Sequence, residues 1–139
     1  MKAWILGLVT ATFCLQCFAA PPAPSVIFSS ALQELPGTKL VVVSLKLDPA
    51  GKSHSQPHHH PGSVYVYVTR GVARLGLKGQ PIKIVHAGES FFEAPGSVHT
   101  VAESASDKEP AYAIAVMLVP DGAPLATPEA AGVRGEASK

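Results

Sequence analysis

The stretch HHHPGSVYVYVTRGVARLGLK, residues 58–78, carries the pattern that decides the fold. Its central part alternates valine with tyrosine, and a repeat of two residues is that of a β-strand, not of a helix. The dipeptide Arg70-Gly71 interrupts this alternation, and a second apolar run follows it at 72–78. The stretch therefore predicts two strands joined by a tight turn.

Similar runs recur along the chain. Apolar segments rich in β-branched residues and bounded by Gly or Pro predict strands at 38–47, 64–69, 72–78, 82–86, 90–94, 98–103 and 111–119, with an eighth at 25–29. The 139 residues include 12 Gly and 13 Pro, whereas only 15% are charged. This composition favours frequent turns over long surface helices. We therefore predict an all-β sandwich or barrel in a single domain.

The first nineteen residues have the features of an export signal. Lys2 provides the positive start, an apolar segment follows, and Cys17 and Ala19 occupy the small-residue positions of a cleavage site. No cluster of positive residues follows that would stop transfer, so we expect secretion to a periplasm or outside the cell, without a stable membrane anchor after cleavage. Both cysteines, Cys14 and Cys17, lie in the signal. The mature chain would then contain neither disulfides nor a cysteine nucleophile.

The chain divides into four predicted parts. These are a signal peptide at 1–19, an N-terminal arm at 20–37, a β-barrel at 38–119 and a disordered tail at 120–139, which is rich in Ala, Pro, Gly and Glu. Eleven Lys and Arg oppose ten Asp and Glu, so the net charge is only +1. Because no basic field is available to attract phosphates, nucleic acid is excluded as a partner.

Histidines carry the functional signal. In an extended segment His58 and His60 point to one face and His59 to the other. His99, far along the chain, could supply a third imidazole, and neutral imidazole is the commonest protein ligand for divalent transition metals. Two plainer interpretations are an exposed His-rich loop that binds metal loosely and core histidines satisfied by hydrogen bonds.

Two segments of the chain resemble the two signature motifs of the cupin superfamily. In 51–71 the matching positions are Gly51, with one extra residue after it, His58, His60 and Gly71, while Val64 stands where the motif has glutamate. In 88–103 the matching positions are Gly88, Gly96 and His99, while Ala94 and Glu103 replace the usual proline and asparagine. Both motifs occur in the expected order within a strand-rich chain, and the resemblance covers roughly residues 40–119.

This resemblance implies a jelly-roll β-barrel and a metal site. His58, His60 and His99 would be the ligands of a divalent transition metal, which could be iron, zinc, copper, nickel or manganese. The fourth ligand of the family, a carboxylate, is missing at Val64. Glu93, His54 or Gln56 could replace it, and the sequence does not show whether Glu93 faces inward.

Several functions are compatible with such a site. The first is a dioxygenase-like oxidoreductase that acts on a small organic substrate through three-histidine metal chemistry. The alternatives are a metal-dependent isomerase or lyase, for which Glu93 and Glu103 are the candidate bases, and a non-catalytic protein that binds metal or a small, sugar-like ligand. Tyr65 and Tyr67 alternate with valines, so both faces of their strand are apolar or aromatic. The outer face would need cover from a second sheet or a second subunit, and the resemblance to cupins implies a possible homodimer.

Overall fold

The computed structural model describes residues 24–53 and 55–129, which contain strands and no helix. All eight predicted strands are present within a few residues of their expected ends, and two very short ones were not predicted. The ten strands are β1 (Ser25–Ala31), β2 (Thr38–Leu47), β3 (His58–His59), β4 (Ser63–Arg70), β5 (Val72–Leu77), β6 (Lys83–His86), β7 (Ser90–Glu93), β8 (Val98–Ser104), β9 (Ala111–Pro120) and β10 (Thr127–Pro128).

The strands form two antiparallel sheets of five. The first has the order β1-β2-β9-β4-β7 and the second the order β10-β3-β8-β5-β6. Their inner faces share one apolar core, to which both sheets contribute buried aliphatic side chains such as Val66, Leu75, Val85 and Met117. The all-β, jelly-roll prediction is confirmed, but the two sheets are separate and do not close into a continuous barrel.

The alternation in β4 determines which side chains enter the core. Val64, Val66 and Val68 are buried, whereas Tyr65 and Tyr67 on the opposite face are 46% and 41% exposed. A one-residue shift in register would reverse these faces, so the interior valines fix the pairing of β4 with β7 and β9. The exposed tyrosines are available to a second subunit, and the homodimer stays a prediction.

Both ends of the described chain pair with neighbouring strands. Strand β1 lies within the expected N-terminal arm and pairs with β2. Within the tail that was expected to be mostly disordered from Pro120, β10 pairs with β3 and anchors residues 121–129. We call residues 121–129 the C-terminal strap. The predicted signal peptide, His54 and the end of the tail lie outside the described residues.

Among the described residues, no helix is long and apolar enough to cross a membrane.

Candidate metal centre

Strand pairing brings the three predicted histidines together. β3 pairs with β8 so that His58 lies directly opposite His99, and His60 follows two residues after His58 on the same face. One nitrogen from each ring lies within 4.8 Å of the others. The centroid of the His58 ring is 4.9 Å from that of His60 and 5.5 Å from that of His99. His59 faces away, with Nδ1 3.7 Å from Oε2 of Glu129.

Each of the three rings is oriented by a backbone carbonyl. His58 Nδ1 lies 2.7 Å from the Gln56 oxygen, His60 Nδ1 2.6 Å from the Leu125 oxygen, and His99 Nε2 2.7 Å from the Val101 oxygen. A carbonyl oxygen only accepts, so the bonded nitrogen carries the proton and the other nitrogen of a neutral ring presents a lone pair. The nitrogens that present a lone pair, and could therefore bind a metal ion, are Nε2 of His58, Nε2 of His60 and Nδ1 of His99. Such partners are the usual support of metal-binding imidazoles.

Burial favours the neutral form of His60, whose side chain is 14% exposed. Loss of water around the ring lowers the pKa of His60, and the neighbouring His58 and His99 lower it further, although the hydrogen bond to Leu125 and the carboxylate of Glu93 act in the opposite direction. A neutral imidazole is the form that binds a metal ion. Burial therefore favours the form of His60 that a metal site would require.

A carboxylate completes the cluster. Glu93 is 2% exposed, with Oε1 3.3 Å from His99 Nδ1 and Oε2 3.9 Å from His60 Nε2. Its Oε2 is buried and has no hydrogen-bond partner among the described residues. Sequence reasoning left the direction of this side chain open because β7 contains two consecutive phenylalanines. Phe91 is buried, whereas Phe92 on the opposite face is 59% exposed.

The four side chains lie in the wall of a cavity of about 570 Å³. Its remaining wall is largely aliphatic, contributed by both sheets and by the C-terminal strap, and includes Val43, Leu45, Val66, Leu75, Met117 and Leu125. Ligand sites in proteins have volumes of about 300–1,000 Å³ and combine apolar walls with a few convergent polar groups. The cavity has the size and composition of a small-molecule site.

Other polar residues near the motifs have structural roles. Glu103 accepts hydrogen bonds from Arg74 Nη1 at 2.8 Å and from the Gly51 amide at 3.0 Å, so it holds a loop and does not reach the histidines. Glu89 caps the turn after β6 by accepting a hydrogen bond from the His86 amide at 2.7 Å. Gln56 is exposed and contributes its carbonyl, not its side chain.

The cupin domain family matches residues 45–117, which is more than half of the chain. This chain belongs to the cupin family. The matched region contains all three histidines and Glu93. Nitrogen and carboxylate donors in this combination suit the divalent transition metals that cupins often hold. The role of His58, His60 and His99 as ligands stays a prediction.

Solved structures support the same fold. A cupin-like protein from Thermotoga maritima is 24% identical, with a TM-score of 0.52, and the match covers 67% of this chain and 65% of that one. A Klebsiella pneumoniae protein with a double-stranded β-helix domain is 22% identical, with a TM-score of 0.51 and coverage of 78% and 84%.

The oxalate decarboxylase of Lactobacillus farciminis, solved as a formate complex, is 19% identical with a TM-score of 0.52, and the match covers 64% of this chain and 26% of the enzyme. The cupin described here thus spans a quarter of that enzyme and about two thirds of the Thermotoga protein. A search of curated protein sequences found no significant match.

Proposed function

We propose that this cupin is a secreted metalloprotein that binds a divalent transition metal through His58, His60 and His99 and acts on a small organic molecule in the adjoining cavity. The observation that supports the proposal is the convergence of three imidazole nitrogens within 4.8 Å at the cavity wall. Secretion is supported by the signal pattern of residues 1–19.

Residues of this chain orient the three histidine rings and keep water away from a molecule bound in the cavity. The carbonyls of Gln56, Leu125 and Val101 hold the three rings so that their free nitrogens face one region. Aliphatic side chains on the other walls pack against the apolar part of a bound molecule and leave its polar end toward the histidines. A bound ion would act as a Lewis acid on a carbonyl or hydroxyl oxygen, and iron or copper would also permit oxygenation.

The aliphatic lining favours one class of ligand over another. A sugar-like molecule presents hydroxyls on all sides, and each would lose its hydrogen bonds against the aliphatic walls, which are formed by residues such as Val43, Val66 and Leu75. A molecule with an apolar body and one or two oxygen donors matches the cavity better. We therefore place a molecule of this kind ahead of a sugar-like ligand, and the activity that we propose is a dioxygenase-like oxidation of such a molecule.

The experiment begins with the metal content of the purified chain, measured by mass spectrometry, for wild type and for four alanine variants. His58→Ala, His60→Ala and His99→Ala should each abolish stoichiometric metal binding. His59→Ala is the matched control, because His59 belongs to the same tripeptide but faces away from the cluster. Equal losses in all four variants would indicate a loose His-rich loop and contradict the proposed site.

Oxygen uptake then tests the reaction class. With one iron or copper ion per chain, an oxidisable substrate of the stated type should consume dioxygen in wild type but not in His60→Ala. A chain that holds only zinc and consumes no oxygen would contradict the dioxygenase-like part of the proposal, while the metal site itself would stand.

A further inference from the structure

We propose that Glu93 is the fourth protein ligand of the ion, so that the carboxylate missing from the first cupin motif at Val64 is supplied by a different strand. This inference depends on the proposed metal site. The inference adds a ligand, Glu93, that does not occupy any of the motif positions expected to bind metal. Four separate observations support it.

The first observation is distance. Two atoms that each lie about 2.0–2.2 Å from one ion are separated by roughly 3–3.5 Å when adjacent and by no more than about 4.4 Å when opposite. Oε1 of Glu93 is 3.3 Å from His99 Nδ1, and Oε2 is 3.9 Å from His60 Nε2. Both carboxylate oxygens therefore already lie at ligand-to-ligand distances from two of the histidines.

The second observation is the identity of the nitrogens that Glu93 faces. His60 and His99 each bond a backbone carbonyl through the other ring nitrogen, so the nitrogen facing Glu93 presents a lone pair when the ring is neutral. A carboxylate oxygen opposite a lone pair is a contact between two acceptors. Such a contact is repulsive unless a positive species lies between them, and an ion placed there would be bound by both.

The third observation is that Glu93 Oε2 is buried and lacks a hydrogen-bond partner within residues 24–53 and 55–129. Buried polar atoms are almost always paired, and an unpaired one in a native fold indicates a missing ion, a missing water or a functional role. A proton shared between Glu93 Oε1 and His99 Nδ1 would satisfy one short contact but leave Oε2 unpaired. An ion near His60 and His99 would be within reach of Oε2 as well.

The fourth observation is the register of the first sheet. Val64 on β4 and Glu93 on β7 are directly opposite partners. Side chains at such positions point to the same face, with Cβ atoms about 4.5–5.5 Å apart. A carboxylate on β7 can therefore enter the same part of the interior as one on β4.

The test uses the full chain, stripped of metal with a chelator and titrated with Co²⁺, whose visible absorption reports the ligand set. Affinity is measured by competition with a chelator of known strength. The variants are Glu93→Gln, which keeps the shape but removes the charge, and the exchange Val64→Glu with Glu93→Val, which returns the carboxylate to β4. Glu89→Gln is the control, because Glu89 is exposed and lies at the turn before β7.

Glu93→Gln should weaken Co²⁺ binding at least tenfold and change the absorption spectrum, the exchange should recover both, and Glu89→Gln should match wild type. An affinity within twofold of wild type in Glu93→Gln would overturn the proposal. So would a weaker affinity with an unchanged spectrum, since Glu93 would then act only through its histidine neighbours. No recovery in an exchange variant that circular dichroism shows to be folded would overturn it as well.

Failure of the metal function itself gives a different result. In that case wild type would bind less than one Co²⁺ per chain, or His58→Ala would bind as tightly as wild type.

Discussion

Val64 and Glu93 face each other across β4 and β7, and both side chains are buried, at 1% and 2% exposure. The valine contributes to the apolar core, whereas the glutamate places a carboxylate next to it, one oxygen of which is unpaired in the part of the chain that the structure describes. Burial of an uncompensated charge costs several kcal/mol even after relaxation. In this strand pair Val64 stabilises the fold, whereas Glu93 destabilises it unless a positive group compensates its charge. Such a combination is common at functional sites.

The first prediction concerns the stability of the metal-free protein. At pH 8, where exposed imidazoles are neutral, Glu93→Gln should raise the melting temperature by several degrees, since about 1 kcal/mol corresponds to roughly 4–8 °C in a domain of this size. Excess metal should stabilise wild type more than the variant, because only the native state binds the ion tightly. Calorimetry with and without Co²⁺ measures both effects, with Glu89→Gln as the control.

A lower melting temperature for metal-free Glu93→Gln would contradict this expectation. It would mean that the carboxylate stabilises the fold by pairing with a protonated His99.

The second prediction concerns the C-terminal strap. The Leu125 carbonyl orients His60, β10 pairs with β3, and Leu125 also lines the cavity. Ending the chain after Asp121 should therefore weaken metal binding about 10- to 100-fold, the range found when partners of metal-binding histidines are removed. Ending it after Glu129 leaves all these contacts in place and is the matched control. Equal affinities for the two truncated chains would show that His60 does not need the strap.

Much of the fold follows from the sequence because the long strands show a clear repeat of two. β2 was predicted with the bounds Thr38–Leu47 that the structure has, and β9 is read correctly as a strand despite its alanines, because Pro110 and Pro120 bound its alternation. β3 and β10 have only two residues each, too few to show any repeat. They form because β10 pairs with β3 and β3 pairs with β8, and such long-range pairing leaves no local trace in the sequence.

The candidate site could be predicted only in part, and the reason is again that long-range pairing is not visible in the sequence. The alternate spacing of His58 and His60, together with the motif containing His99, predicts three rings that the structure brings together. The sequence does not decide the direction of the Glu93 side chain, because Phe91 and Phe92 make both faces of β7 apolar. The signal that could have decided it was the Pro-Gly turn after β7, combined with pairing of this strand to β4, but register across a sheet is not visible in one strand alone.

The third prediction concerns Gly62, which follows the three consecutive histidines. A Cβ atom built on Gly62 would lie only 1.5 Å from the backbone oxygen of Leu118, so no side chain fits without moving β9 or the segment that holds His60. Gly62→Ala should lower the free energy of unfolding by more than about 3 kcal/mol, above the usual range for point substitutions, and should also weaken metal binding. Denaturant titration and Co²⁺ competition measure the two effects.

Gly79→Ala is the control for this substitution. Gly79 has a φ of 78° but nothing within 4 Å of a built Cβ, so its replacement should cost only about 1–2 kcal/mol of backbone strain. Equal destabilisation by the two substitutions would mean that the contact with Leu118 relaxes easily.

The fourth prediction is a pH dependence caused by His60. Burial lowers the pKa of His60 in the folded chain below the value of about 6.5 that an unfolded histidine has. As the pH falls below that value, the unfolded state takes up a proton that the folded state resists, so the unfolded state is favoured. The stability associated with neutral His60 is therefore complete above about pH 6.5 and decreases as the pH falls toward the lowered pKa.

Denaturant titrations of the metal-free chain at pH 7.5 and 5.5 measure the effect. The free energy of unfolding should fall between these pH values in wild type and should fall less in His60→Gln. In His86→Gln it should fall as much as in wild type, because the His86 ring is exposed. The same loss in all three proteins would contradict the assignment, because the pH dependence would then come from groups other than the buried ring.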